Sequence, residues 1–411
     1  MTNNKSVCMV SYRLPGEHSG AATQAHTLAE ALVRKGLSVT LLGASTTKVQ
    51  YKENSGVTII GLKSRLTGRY RIDTKIFTIR LLSYLIIHKR EYDLVHYHGL
   101  FSHCFYYGIL LGKAIGLPSL IKLSLVGFDD PVSVENSFFG SAKIRILNTT
   151  AGVIAISPSM SSEIKKSSLE VPVFEVPNGV DTGYFKPCRE KERKKIEMGL
   201  GGLKVVSFVG GINPRKGLLT LIGAWKLVVD KADNSILLII GPWDKNPVYK
   251  AYYYGLKKQI AKYNIEKSVR FLGQIDNVKD YLQASDLFVF PTKQEGLPNA
   301  LLEALSCGVP SVVSFIPGIT DALIVHGENG YLVDNLEDAN TFCKHISRLL
   351  SEKSIRTSFG ETARNSILYM DINETANKYI AIYEKIVSYS APPSDSKNWD
   401  ATLRGSNSGI I

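Results

Sequence analysis

The chain has 411 residues, 44% of them apolar and 21% charged, and a formal charge of +12. That length predicts two or three domains, and the composition excludes a disordered, collagen-like or coiled-coil chain. Residues 7–10 are too short an apolar run for a signal peptide, no run approaches the roughly 18 residues of a membrane span, and five scattered cysteines without C-x-x-C spacing suggest neither disulfides nor zinc, so a soluble protein of a reducing, cytoplasmic compartment is expected.

In chain order, continuous Val/Ile/Leu runs at 7–11, 39–42, 57–60, 94–96, 120–123 and 153–156 read as strands buried on both faces. The segment 23–35 reads as a helix with Ala25, Leu28, Ala29 and Leu32 on one stripe and Gly36 as its stop. Between residues 61 and 90, eight basic residues (Lys63, Arg65, Arg69, Arg71, Lys75, Arg80, Lys89, Arg90) face a single acid, Asp73, so seven of the twelve net charges lie here. Such a stretch attracts a polyanion, a phosphorylated small molecule or an anionic membrane face, or is simply a solvated helix. Within it Ile72, Ile76, Ile79, Leu82 and Ile86 fall three or four apart, a helical stripe that suits either packing on the first sheet or, with the basic residues around it, an anionic membrane face.

The rhythm breaks at 186–202, a charged stretch ending in Gly-Leu-Gly-Gly that fits a helix and hinge between domains, and resumes with strands at 205–209, 236–240, 269–272, 287–290 and 311–313. The fold class is therefore α/β, with two doubly wound, Rossmann-like lobes facing across a cleft that suits a nucleotide-type ligand. The expected division is a first domain at 1–185, a second at 186–368, a terminal helix at 369–388 and a disordered tail at 389–411, where Ser, Pro, Asn, Asp and Gly dominate.

Three strand-to-helix turns carry chemistry. Gly16 and Gly20 follow the first strand and let backbone amides approach a phosphate, or form an ordinary turn. Gly210, Gly211, Arg215, Lys216 and Gly217 follow the strand at 205–209 and again suit phosphate. After the strand at 287–290, Glu295 stands in a loop facing the cleft. Pro298 fits the first turn of the next helix, and the amides of Asn299, Ala300 and Leu301 make an anion seat. Glu303, one turn further, is placed to accept from ribose hydroxyls, or both acids merely favour the helix start.

Glu295 and Glu303, with seven residues between them, resemble the E-x7-E motif of family-four retaining glycosyltransferases of the GT-B fold. Val176-Pro-Asn-Gly-Val-Asp181 with Phe185, Phe271-Leu-Gly-Gln-Ile275, Ala284-Ser-Asp286 and Gly327-Glu-Asn-Gly-Tyr-Leu-Val333 are similar to other blocks of that family, over roughly residues 6–387. The resemblance implies transfer of a hexose-type sugar from a nucleotide diphosphate sugar, a UDP-sugar in preference to a GDP-sugar. The acceptor implied is a glycan or lipid-linked hydroxyl in surface polysaccharide synthesis. It implies Glu295, His98 and Lys216 as catalytic, and Gly20, Arg215, Ile275, Asn299, Ala300, Leu301 and Glu303 as donor-binding. Gly211 stands where the family has Arg, Ala21 replaces the second glycine of the first loop, and Asp321 replaces a glutamate. No D-x-D motif stands at a comparable strand end, so no cofactor and no metal are expected. Two alternatives stay open: a non-catalytic sugar-nucleotide-binding subunit and a nucleic-acid binder. The second rests on charge alone, since no aromatic-basic ladder accompanies it, and no nucleic-acid partner is expected. Peripheral contact with an anionic inner membrane face is expected from the basic stretch.

Overall fold

Runs of Val, Ile and Leu with few polar interruptions can bury both faces of a strand, and in this chain they do so twice. The computed structural model describes residues 5–390 except 18, 68, 101–102 and 244–246. The first lobe contains β1 (Ser6–Val10), β2 (Ser38–Ser45), β3 (Val49–Lys52), β4 (Thr58–Lys63), β5 (Leu94–His98), β6 (Ser119–Lys122), β7 (Gly152–Ala155) and β8 (Val173–Glu175). Their order is β3-β4-β2-β1-β5-β6-β7-β8, parallel except for β3. The second lobe contains β9 (Lys204–Val209), β10 (Ser235–Ile240), β11 (Val269–Gly273), β12 (Leu287–Phe290), β13 (Ser311–Ser314) and β14 (Gly330–Val333). These are all parallel, in the order β11-β10-β9-β12-β13-β14.

In each sheet the order reverses once near the centre, between β1 and β5 and between β9 and β12. A doubly wound sheet opens a crevice at that point, outside the carboxyl ends of its strands. The two crevices face each other.

The helix Gly20–Arg34 starts three residues earlier than its apolar stripe indicates, because the Ser19 side chain caps it by accepting from the Ala22 N–H. On the helix Tyr70–His88 the packed stripe is Asp73, Phe77, Leu81 and Leu85, whereas Ile72, Ile79 and Ile86 face outward. The aromatic ring of Phe77 takes the core position, against Tyr12 at 5.3 Å.

The charged stretch after residue 186 is no free hinge. Its helix Lys191–Glu197 is pinned to the second lobe by Lys195, whose Nζ donates to Asp286 Oδ2 at 2.7 Å and to the Leu203 carbonyl at 3.1 Å. Lys191 also pairs with Asp286, at 3.1 Å. The chain crosses between lobes near residue 180 and returns near 371. The two crossings pair side by side: Val180 N donates to Met370 O and Ile372 N to Val180 O, both at 2.9 Å. The last helix, Ile372–Ser390, then lies on the helix Gly20–Arg34. The tail beyond residue 390 lies outside the described residues.

Asp286 and Lys195 are 6% and 3% exposed, so removing the acid strands a buried cation. Asp286→Ala should destabilise the protein by about 3–5 kcal/mol, read by denaturant unfolding; a loss under 1 kcal/mol would show that the pair is not held in this way.

Candidate active site

The four strands flanking the two crevices each deliver one of the expected residues. Gly20 opens the helix after β1, His98 ends β5, Lys216 lies in the turn after β9, and Glu295 lies in the loop after β12. Sheet order places all four at the carboxyl ends of the strands that flank the crevices.

Within the second lobe the two turns are joined. Gly217 has φ +67°, and a Cβ there would come within 1.9 Å of the Pro291 carbonyl, so only glycine permits this approach. Lys293 N donates to Arg215 O at 2.8 Å. Lys216 Nζ therefore reaches Glu295 Oε1 at 2.5 Å, and Arg215 Nη1 reaches the same oxygen at 3.1 Å while also donating to the Gln294 carbonyl. Thr292 Oγ1 donates to it at 2.7 Å. Burial works to raise the Glu295 carboxyl, but the two cations outweigh it and hold it below the usual glutamate range. Burial pulls Lys216 downward, with Glu295 opposing, and its ammonium lies 4.6 Å from the centre of the Phe290 ring. A Cβ at Gly211 would meet only Asn213 Nδ2, at 3.5 Å, an ordinary contact.

The helix Asn299–Ser306 supplies a smaller anion seat than its sequence suggests. Pro298 is the extended cap residue and lies just outside the first turn, and the Leu301 N–H is already spent on the Pro298 carbonyl at 3.1 Å. The amides of Asn299 and Ala300 have no hydrogen-bond partner among the described residues. Asn299 also closes the cleft: its Nδ2 donates to the Gly20 carbonyl at 3.1 Å, and its Oδ1 accepts from Asn178 at 2.8 Å. Gln294 crosses to the Val126 carbonyl at 2.6 Å.

Glu295 and Glu303 face different cavities. Glu295 lines one of about 530 Å³ with Lys293, Gln294, Ser159 and Gly318. Glu303 lines one of about 250 Å³ with Gln24, Thr27, Glu30, Tyr184 and Asn299. Burial pushes the Glu303 carboxyl up to about 8, so at neutral pH it carries a proton and offers a donor as well as the acceptor expected of it. Ile275 packs against the small apolar cluster of Val205, Ile236, Leu238 and Ile240 and lines neither cavity. Asp321 turns back to accept from Ile319 N at 3.1 Å.

His98 is 1% exposed and lines neither cavity, and neither ring nitrogen has a partner among the described residues. Its ring lies 4.2 Å from that of His96, which is held at Nδ1 by Tyr383 at 2.8 Å. Burial, then His96 and Lys122, hold His98 well below the usual histidine range, so it is neutral. Lys122 is a lysine inside an apolar strand run, itself a sequence signal of a polar site, and burial takes it down to about 7. Asp129 belongs to the polar loop that follows β6. Buried at 1% exposure, it gathers the amides of Leu100, Ser124 and Leu125 and so shapes the first-lobe loop facing Gln294. Away from the crevices, His26, Glu30 and Glu53 place ligand atoms within 4.8 Å of one another, and His26 already bonds Glu53 at 2.7 Å.

Two family profiles match nearly end to end: "Glycosyltransferase Family 4" over residues 18–184 and "Glycosyl transferases group 1" over 189–366. The capsular polysaccharide biosynthesis glycosyltransferase CapM of Staphylococcus aureus is 28% identical over 222 residues, 52% of this chain and 56% of that protein. The UDP-Gal:alpha-D-GlcNAc-diphosphoundecaprenol alpha-1,3-galactosyltransferase of Escherichia coli is 28% identical over 297 residues, 69% of this chain and 73% of that protein. The chain thus spans little more than half the length of the first and about three quarters of the second. Among solved structures, sucrose-phosphate synthase (tll1590) of Thermosynechococcus elongatus superposes with a TM-score of 0.79 at 20% identity, covering 94% of this chain and all of that one. With both lobes matched in sequence and the two-sheet architecture matched in space, the chain belongs to the family-four glycosyltransferases of the GT-B fold.

Proposed function

We propose that the chain is a retaining hexosyltransferase that uses a UDP-sugar and delivers the sugar to a hydroxyl of a glycan or lipid-linked acceptor in surface polysaccharide synthesis, at the inner face of the membrane. The observation that carries this reading is the convergence of Lys216 and Arg215 on Glu295, four residues before the amides of Asn299 and Ala300, which have no partner among the described residues. The two relatives named above are, by name, a capsular polysaccharide enzyme and a UDP-galactose enzyme with a lipid-diphosphate acceptor.

Glycosyl transfer breaks the bond between the anomeric carbon and the diphosphate oxygen, so negative charge builds on the leaving group. Groups aimed at that charge lower the barrier most. Lys216, Arg215 and the two amides surround a diphosphate placed at the β9 and β12 turns. Because these are protein cations, the transfer is proposed to need no metal. Glu295, kept ionised, accepts from sugar hydroxyls, and protonated Glu303 offers both a donor and an acceptor to the ribose. No carboxylate is assigned as a nucleophile; front-face substitution, in which the departing phosphate takes the acceptor proton, is the proposed route to retention. His98, neutral and with neither ring nitrogen partnered among the described residues, is proposed to contribute from the first lobe.

A non-catalytic donor-binding subunit is the second reading, favoured by Gly211 where the family has Arg. Arg215, already at the Glu295 carboxylate, offers a cation in its place.

Lys216→Ala should lower kcat/KM for UDP release from a UDP-sugar by about 2–4 kcal/mol while UDP still stabilises the fold thermally. Turnover within twofold of the parent would overturn the role of Lys216, and absence of turnover in the parent would favour the non-catalytic reading. Glu303 gives a pH test. A carboxyl raised on folding costs stability as pH rises from its unfolded value near 4.5 toward its folded value of about 8. Glu303→Gln should therefore leave stability unchanged near pH 4 and raise it by about 1–3 kcal/mol at pH 8, read by denaturant unfolding; a pH-independent difference would contradict the buried carboxyl.

A further inference from the structure

The outward face of the helix Tyr70–His88 takes no part in the site above. Ile72, Ile79 and Ile86, seven residues apart, are 40%, 67% and 52% exposed, and Ile87 is 73% exposed. Seven residues make nearly two turns, so the first three form one ridge, on the side opposite Phe77 and Leu81. Apolar side chains scattered singly over a surface need no explanation, but a ridge of branched aliphatics along one helix marks a contact. Its flanks are cationic. Arg71, Lys75 and Arg80 are exposed on the helix, Arg69 precedes it, and Lys89 and Arg90 follow it. Among the described residues none of these six forms an ion pair, while the neighbouring acids are engaged: Asp73 accepts from the Leu66 and Thr67 amides and Glu91 pairs with His88.

We propose that this face docks on an anionic lipid bilayer, the isoleucine ridge entering the headgroup layer and the six cations lying against lipid phosphates. An apolar ridge bordered on both sides by unpaired cations matches a surface that is apolar within and negative at its boundary. The placement also suits the site. Tyr70 packs edge-on against Tyr12, just beyond β1, at 5.8 Å, and Arg65 pairs with Glu17 in the Gly16 to Gly20 loop. The helix therefore begins at the rim of the cleft, and a bilayer on this face brings a lipid-linked hydroxyl to its mouth. That last step rests on the function proposed above; the docking does not.

The test uses the full chain with sedimented vesicles of phosphatidylglycerol or of phosphatidylcholine alone. The expected result is recovery with phosphatidylglycerol vesicles at low salt, none with phosphatidylcholine, and release near 1 M salt, where screening shortens to about 3 Å. Ile79→Asp with Ile86→Asp, and separately Arg71→Glu with Lys75→Glu, should each weaken binding by about tenfold or more while thermal stabilisation by UDP is retained. Equal recovery of the parent in the supernatant with both lipids, or undiminished binding by the variants, overturns the proposal. A parent that is dimeric by light scattering, and monomeric as the isoleucine variant, overturns it in favour of a second copy of the chain. Lack of stabilisation by UDP counts against the donor reading and leaves the vesicle result standing.

Discussion

The buried ion pair between Lys216 and Glu295 makes one rigid unit of the two turns that follow β9 and β12. Each partner follows a different strand, and Arg215 joins Lys216 in keeping Glu295 ionised. A pair so buried contributes little net stability, yet losing Glu295 strands Lys216 in a poor solvent for charge, while losing Lys216 leaves Glu295 to Arg215 alone. Gly217 is the backbone condition for it, since any side chain there would collide with Pro291 and push the two turns apart. The charge of the cleft is therefore set by backbone packing before any ligand arrives.

The first lobe meets this unit through backbone carbonyls. Gly20 and Val126 each accept from an amide side chain of the second lobe, and a Cβ at Gly296 would strike the Ser124 carbonyl at 2.0 Å. Contacts of this kind are close but few and polar, suited to a cleft that must open for a nucleotide and shut around it. Beneath them, His96, His98, Lys122 and Tyr379 form a buried polar layer in which several atoms have no partner among the described residues. Such a layer favours neutral histidines, which can donate and accept, over imidazolium ions.

Much of this was legible in the chain itself. Eleven apolar runs gave strands close to where they lie. The three strands left unread are short edge or near-edge pieces: β3 alternates polar residues and is mostly exposed, β8 has three residues, and β14 hides inside the Gly-Glu-Asn-Gly-Tyr block. Periodicity placed an apolar stripe on the helix Tyr70–His88 without deciding whether it faces the sheet or the outside. That helix is apolar on two sides, and only the shape of the core decides that Phe77 goes in and Ile79 stays out. The meeting of Lys216 with Glu295, 79 residues apart, was legible only as a resemblance; its physical cause, the close approach at Gly217, has no local signature. The same holds for the Leu301 amide, whose loss to Pro298 depends on a cap geometry that no residue type dictates.

The two chain crossings between lobes are paired along one short line, Val180 bridged to Asp371, with Thr182 donating to the same aspartate. Two independent tethers set far apart would hold the lobes still, and a single tether would let them swivel in any direction. Adjacent paired tethers leave one easy freedom, a swing about the line that joins them. Closing on a ligand then means finding one angle rather than a full set of orientations, so little of the binding free energy is lost in the search, and residues from both sheets arrive in register each time the cleft shuts.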